Sequence, residues 1–123
     1  MYELKVEDCF AAAHNLRGYN GKCEELHGHN WKVEVIVRAT SLDDTGLAID
    51  FHDLKAATKE ILEALDHSYL NDLPAFRVNN PSSELIAKYI YEELSERVAR
   101  DGLWVHKVTA WESDKACASY LGD

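Results

Sequence analysis

A chain of 123 residues with a formal net charge of −9 lacks the basic footprint that non-specific nucleic-acid binding requires. Its length fits one domain, residues 1–123, and 46% apolar with 28% charged residues is ordinary for a soluble globular protein. No apolar run approaches the roughly 18 residues of a membrane span. The charged start MYELKVEDCF does not read as a signal peptide, so the expectation is a cytoplasmic chain with neither nucleic-acid nor membrane partners. The acidity leaves anionic small molecules open, because a few local cations can focus the field in a cleft.

Residues 2–14 carry Leu4, Val6 and Phe10 and read as a first strand. Residues 15–26, with two glycines and several polar side chains, suit a loop. In WKVEVIVRA, Trp31, Val33, Val35 and Val37 alternate with Lys32, Glu34 and Arg38, leaving Ile36 as the exception. That period of two predicts a strand. SLDDTG is a turn cluster. Beyond it Asp50 is a good N-cap for a helix whose apolar residues Phe51, Leu54, Ile61 and Leu65 recur at helical spacing. A second helix is expected from NNPSSE, with Asn80 as cap, Pro81 in the first turn, and Ala87, Ile90, Leu94 and Val98 inward. Asp101-Gly102 ends it, LWVHKVTAW follows as a strand, and CASYLGD can form a short last one.

This order predicts an α+β fold with an antiparallel four-stranded sheet and two helices on one face. Such a sheet leaves two unpaired edges and a poorly covered face, for which oligomerisation is the simplest remedy in a small chain.

The chemistry gathers around histidine. His27-Gly28-His29 opens the second strand, where residues i and i+2 point to the same face. His14 ends the first strand across the loop, so pairing of the two strands would converge three imidazoles. Three protein ligands with one open position is the arrangement of a catalytic zinc site. A chance His-x-His on a solvated strand is the plainer alternative. The absence of a CxxC pair excludes a four-cysteine structural site, and oxygen-only calcium or magnesium sites do not favour imidazole.

Cys9, Cys23 and Cys117 are an odd set without paired spacing and read as free thiols. Cys23 lies among charged residues four positions before His27, where a nearby cation would favour its thiolate. Cys9 and Cys117 read as small buried hydrophobes. Asp66-His67 offers a carboxylate that can orient an imidazole, although a histidine at a helix C-terminus is commonly only a cap. Glu112, in AWES, is either a solvated carboxylate or an acceptor for an amino-imine edge.

FAAAHNLRGYNGKCEELHGHNW, LDHSYLN, NPSSE and WES occur together and in this order. In that combination the sequence resembles the 6-pyruvoyltetrahydropterin synthase family over nearly the whole chain. Within the family it is most similar to the bacterial 6-carboxy-5,6,7,8-tetrahydropterin synthases of queuosine biosynthesis. The resemblance implies a zinc-dependent lyase acting on 7,8-dihydroneopterin triphosphate. It implies His14, His27 and His29 as zinc ligands, Cys23 with Asp66 and His67 as catalytic groups, and Glu112 as the pterin anchor, with Ser82 and Ser83 nearby. It also implies the tunnelling fold, in which the sheets of three subunits close a barrel and two trimers stack into a homohexamer. Active sites would lie at subunit interfaces.

The spacing Cys23-x-x-x-His27-Gly28-His29 looks like the 6-carboxy branch, the pyruvoyl-forming branch having a longer gap. Glu24 directly after Cys23 complicates that assignment. In a folate-pathway branch a glutamate replaces the cysteine and a 6-hydroxymethyl product is formed; an ordinary loop carboxylate is the alternative. Arg17, Lys22 and Lys115 are candidate cations for the triphosphate. A non-catalytic pterin- or metal-binding scaffold and a structural zinc protein are the rivals from other classes.

Overall fold

The computed structural model describes residues 1–21 and 24–123; Lys22 and Cys23 lie outside the described residues, and with Cys23 the proposed thiol. Strand β1 (Tyr2–His14) and strand β2 (His27–Ala39) pair antiparallel over their whole length, from Tyr2↔Ala39 to His14↔His27. Helix α1 (Phe51–Leu65) follows, then β3 (Ser68–Tyr69) and two single 3-10 turns, Leu70–Asp72 and Pro74–Phe76. Helix α2 (Ser83–Val98), β4 (Leu103–Ser113) and β5 (Ala116–Tyr120) complete the order.

The sheet runs β3-β1-β2-β4-β5. It is a five-stranded mixed sheet, not the expected four antiparallel strands, because β3 pairs parallel with Ala12 and Ala13 of β1. Two residues carry no periodicity, so nothing in LDHSYLN announces a strand. The other four strands are the expected ones, and β2 starts earlier than its alternation, at His27.

Both helices cover one face of the sheet. Phe10 from β1, Trp31, Val33, Val35 and Val37 from β2, and Val108 and Ala110 from β4 bury against Leu54, Ile61 and Leu65 of α1 and Ile86, Ile90 and Leu94 of α2. Asp50 caps α1 as expected, accepting from the His52 N–H at 2.8 Å. Phe51 is exposed rather than inward, and buried Thr58 donates its hydroxyl to the Leu54 carbonyl at 2.8 Å.

The start of α2 differs from expectation. Its cap is Ser82, whose Oγ accepts from the Leu85 N–H at 3.2 Å, and the helix begins at Ser83. Asn80 does not cap it and Pro81 lies outside it, because the Asn80 amide is engaged by the backbone of Arg17. Cys9 and Cys117 are exposed rather than buried. Their strand positions point away from the helices, in one row with Lys32 and Trp111. That face is polar: Lys32 reaches Glu7 at 3.8 Å and Glu34 at 3.4 Å, and Arg38 reaches Glu3 at 2.9 Å.

Candidate metal centre

Alternation decides the site. His27 and His29 continue the odd-numbered series of β2, the series of Trp31, Val33 and Val35, so they face the helix side of the sheet beyond the end of the core. His14 continues the even series of β1 from Phe10 and Ala12. Since His14 pairs with His27 and Ala12 with His29, three imidazoles meet over the end of the core. Their ring centroids lie 4.7–5.3 Å apart, all edge to face. Trp31 floors them, with its ring 5.1 Å from His14 and 5.4 Å from His29, and stacks on Phe10. Glu112 arrives from β4 on the same face, two positions after Ala110.

One donor atom from each of His14, His27, His29 and Glu112 lies within 4.8 Å of all the others, close enough for one ion to touch all four. Their hydrogen bonds suit such an ion. His14 Nδ1–H donates to the Pro81 carbonyl at 2.8 Å, and His27 Nδ1–H to the Glu25 carbonyl at 2.9 Å. Each bond fixes the tautomer that leaves Nε2 as a lone pair, as backbone partners of metal-bound histidines do. Among the described residues, the buried Nε2 atoms of His14 and His29 have no hydrogen-bond partner. His29 Nε2 stands 3.0 Å from Glu112 Oε1 without the alignment of a hydrogen bond. Burial, followed by the neighbouring His14 and His27, pushes the His29 pKa below its ordinary value against the pull of Glu112. Two orphaned nitrogens beside a carboxylate are costly without a cation and satisfied by one. The residues fit a metal ion, and three imidazoles with a carboxylate suit zinc or another transition metal.

The centre opens into a pocket of about 100 Å³ lined by His14, Leu16, Glu24, His27, Ser82, Ser83, Glu84 and Glu112. Ser83 Oγ donates to Glu112 Oε2 at 3.1 Å, so the carboxylate is held from the helix side as well. Glu24 lies on the rim. Its Oε1 accepts from the Leu16 N–H at 3.2 Å and sits 3.8 Å from His27 Nδ1. The loop closes there, as Glu24 N–H donates to the Leu16 carbonyl at 2.8 Å.

Asp66 and His67 are together but elsewhere. Asp66 Oδ1 accepts from the Ala11 N–H at 2.8 Å and Oδ2 lies 2.9 Å from His67 Nδ1. The Ala11 N–H first, and then His67, hold the Asp66 carboxyl below the usual carboxylate range. His67 takes a left-handed backbone, φ 55°, and its side chain is 83% exposed. It lines a second, wide concavity of about 440 Å³ with Ala11, Ala13, Gly28 and Asn30, and His29 of the metal cluster borders that concavity too. Arg17 is not free for an anion: four of its guanidinium bonds go to the carbonyls of Phe76, Arg77 and Asn79 and to Asn80 Oδ1.

Sequence reasoning did not find the Pro81 carbonyl, a backbone group without any compositional mark, nor the amide of Asn71. Asn71 is buried and bonds both backbone groups of Asn15. Its only trace in the sequence is its place in LDHSYLN, beside the Asp66-His67 pair.

The family model described as 6-pyruvoyl tetrahydropterin synthase matches residues 3–123. The chain belongs to that family. It is 37% identical over 126 residues to a Synechocystis protein named 6-carboxy-5,6,7,8-tetrahydropterin synthase, covering 98% of this chain and 94% of the relative. It is 36% identical over 107 residues to the human 6-pyruvoyl tetrahydrobiopterin synthase, covering 84% and 72%. The solved Caenorhabditis elegans 6-pyruvoyl tetrahydropterin synthase superposes with a TM-score of 0.83 at 27% identity, over 99% of this chain and 96% of that one. No helix among the described residues is long and apolar enough to cross a membrane.

Proposed function

We propose that this member of the family is a zinc-dependent 6-carboxy-5,6,7,8-tetrahydropterin synthase, converting 7,8-dihydroneopterin triphosphate with release of acetaldehyde and triphosphate, in queuosine biosynthesis. The observation that carries the reading is the convergence of His14, His27, His29 and Glu112 beside a pocket whose wall bears Ser83. Similarity to relatives named 6-carboxy-5,6,7,8-tetrahydropterin synthase supports the branch.

His14, His27 and His29 hold the ion. When bound, zinc supplies a Lewis acid that makes neighbouring side-chain hydroxyls of the substrate more acidic. Glu112 accepts from the amino-imine edge of the pterin, and Ser83, bonded to it, fixes the carboxylate plane. Ser82 stands beside it and keeps the start of α2 in place. Cys23, as thiolate, moves protons at the side-chain carbons, and His67, oriented by Asp66, is the complementary acid or base. In this chain His67 and His29 line one wide concavity, whereas His14, His27 and Glu112 line the smaller pocket. Among the described residues, the strand pairing on the outer edge of β1 is confined to Ala12 and Ala13, and β5 is the other end of the sheet. Two open edges support closure of three copies into a barrel and a dimer of trimers.

The test is a product assay. Zinc-loaded protein is given 7,8-dihydroneopterin triphosphate, and the pterin and the small aldehyde are identified by mass spectrometry. The 6-carboxy product with acetaldehyde is expected. A 6-pyruvoyl product would move the protein to a sister branch, and absence of turnover with several reduced pterins would favour a binding scaffold. One observation favours a second reading: the Glu24 carboxylate lies on the rim of the metal pocket. A 6-hydroxymethyl product that disappears in Glu24→Gln would support the folate-type cleavage.

A further inference from the structure

We propose that Asn71 and Asn80 are positioning residues of the metal centre, their side-chain amides standing in for a missing strand beyond His14; this rests on the metal-site reading above. The β1–β3 ladder has its last pair at Ala13↔Tyr69, so the backbone that leaves His14 has, among the described residues, no strand on that side to hold it. Two asparagines supply the partners. Asn71 Oδ1 accepts from the Asn15 N–H at 3.1 Å and its Nδ2 donates to the Asn15 carbonyl at 2.8 Å. Asn80 Oδ1 accepts from the Arg17 N–H at 2.8 Å and its Nδ2 donates to the Arg17 carbonyl at 3.0 Å. Residues two apart in an extended chain present their N–H and C=O to the same edge, and each carboxamide offers the matching donor and acceptor side by side.

The pattern continues the sheet. Ala12 pairs with Ser68 and Ala13 with Tyr69 in β3, and Asn15 then pairs with the side chain of Asn71. The intervening Leu16 bonds the other way, its N–H to Glu24 Oε1 and its carbonyl to the Glu24 N–H. Every backbone polar group of Asn15, Leu16 and Arg17 is thereby paired, in strand-like alternation, without a strand.

The link to the metal is Pro81. Its carbonyl, next in the chain after Asn80, receives the Nδ1–H of His14. Fixing Arg17 to Asn80 fixes the distance between the His14 end of β1 and that carbonyl. The tautomer of His14, and the direction of its Nε2, follow. An acid cannot replace the amide, because aspartate lacks the donor and would set a carboxylate oxygen against the Arg17 carbonyl.

The experiment uses the full chain, metal-free and then titrated with zinc against a chromophoric chelator. Long-range nitrogen–proton NMR of the imidazoles reads the His14 tautomer directly, independently of any activity. Wild type is expected to show the Nδ1–H form alone. Asn80→Asp and Asn71→Ala are expected to show a tautomer mixture and zinc affinity reduced about 10–100-fold, the usual cost of losing an outer-shell partner. Arg17→Ala removes the guanidinium bonds but keeps the backbone that Asn80 pairs with, so its loss should be clearly smaller than that of Asn80→Asp. Variants that melt earlier yet keep the wild-type tautomer and zinc affinity would overturn the proposal, leaving the asparagines as loop supports. Asn71 is buried and its variant is the one at risk of misfolding; half-buried Asn80 then carries the test alone. If wild-type chain binds no zinc, the proposed activity falls, while the tautomer in Asn80→Asp still decides the positioning role.

Discussion

His14 stands directly opposite His27 at the last rung of the β1–β2 ladder, with their ring centroids 4.7 Å apart. The two imidazoles owe their meeting to strand register, and register is enforced by the core: a one-residue slip of β2 would turn Trp31, Val33 and Val35 to the outer face together with His27 and His29. Hydrophobic burial along the strands therefore supplies the rigidity that places the donors.

His27→Ala should lose the metal while keeping the fold. His27 is only half-buried, beyond the end of the core, so removing its imidazole opens no core cavity. Zinc affinity should fall by more than the roughly 10–100-fold typical of an outer-shell loss, with an unchanged far-UV dichroism spectrum. Chelation of the wild type should lower its melting temperature only as far as ligand linkage requires. Collapse of the spectrum on chelation would mark a structural zinc protein instead.

Glu112→Gln keeps the shape of the side chain and removes its charge. A hydrogen bond to a charged group is worth about 1.5–3 kcal/mol, so KM for the pterin should rise at least about tenfold. Ser83→Ala removes one bond to the same carboxylate, at 3.1 Å, and should raise KM by a smaller factor of about five. Steady-state kinetics on the two variants, with zinc content checked in each, measures both. Equal KM in Glu112→Gln and wild type would remove the residue from pterin binding.

Acid should loosen the turn before α1. One Asp43 oxygen accepts from the Thr45 hydroxyl at 2.6 Å, the Thr45 N–H at 2.8 Å and the Leu47 N–H at 3.0 Å. These bonds hold its carboxyl below the 3.8 of a free aspartate, the hydroxyl bond contributing most. A pKa lowered by folding gives stability that is present above the unfolded value and is lost as pH falls through the folded one. The difference in melting temperature between wild type and Asp43→Asn should thus be largest near neutrality. It should shrink as pH drops below 3.8. A difference that does not change with pH would show that the charge of Asp43 plays no part.

Association should be visible at micromolar concentration. Strand β1 runs 13 residues and its outer edge meets β3 at two of them. An open edge of that length invites pairing with a second copy. Native mass spectrometry is expected to give trimers or pairs of trimers, and a stable monomer would remove the barrel from the proposed function.

Much of this protein is written in local pattern. Period-two burial marks β2, helical spacing after Asp50 marks α1, and His27-Gly28-His29 on a strand already aims two imidazoles to one side. Such features need only neighbours in the chain and are legible without the fold. Tertiary structure alone decided the rest. The strand Ser68–Tyr69 exists because Ala12 and Ala13 offer it an edge. The exposure of Cys9 and Cys117 depends on which sheet face the helices cover. Glu112 joins the histidines only through the β2–β4 register, some eighty residues from His29 in the chain. Asn80, by composition a helix cap, became a partner for Arg17, and Ser82 took the cap. Hydrogen-bond donors and acceptors are interchangeable in a sequence. Which pair forms is decided by which groups the fold brings within about 3 Å of one another, and by the cost of burying any that are left over.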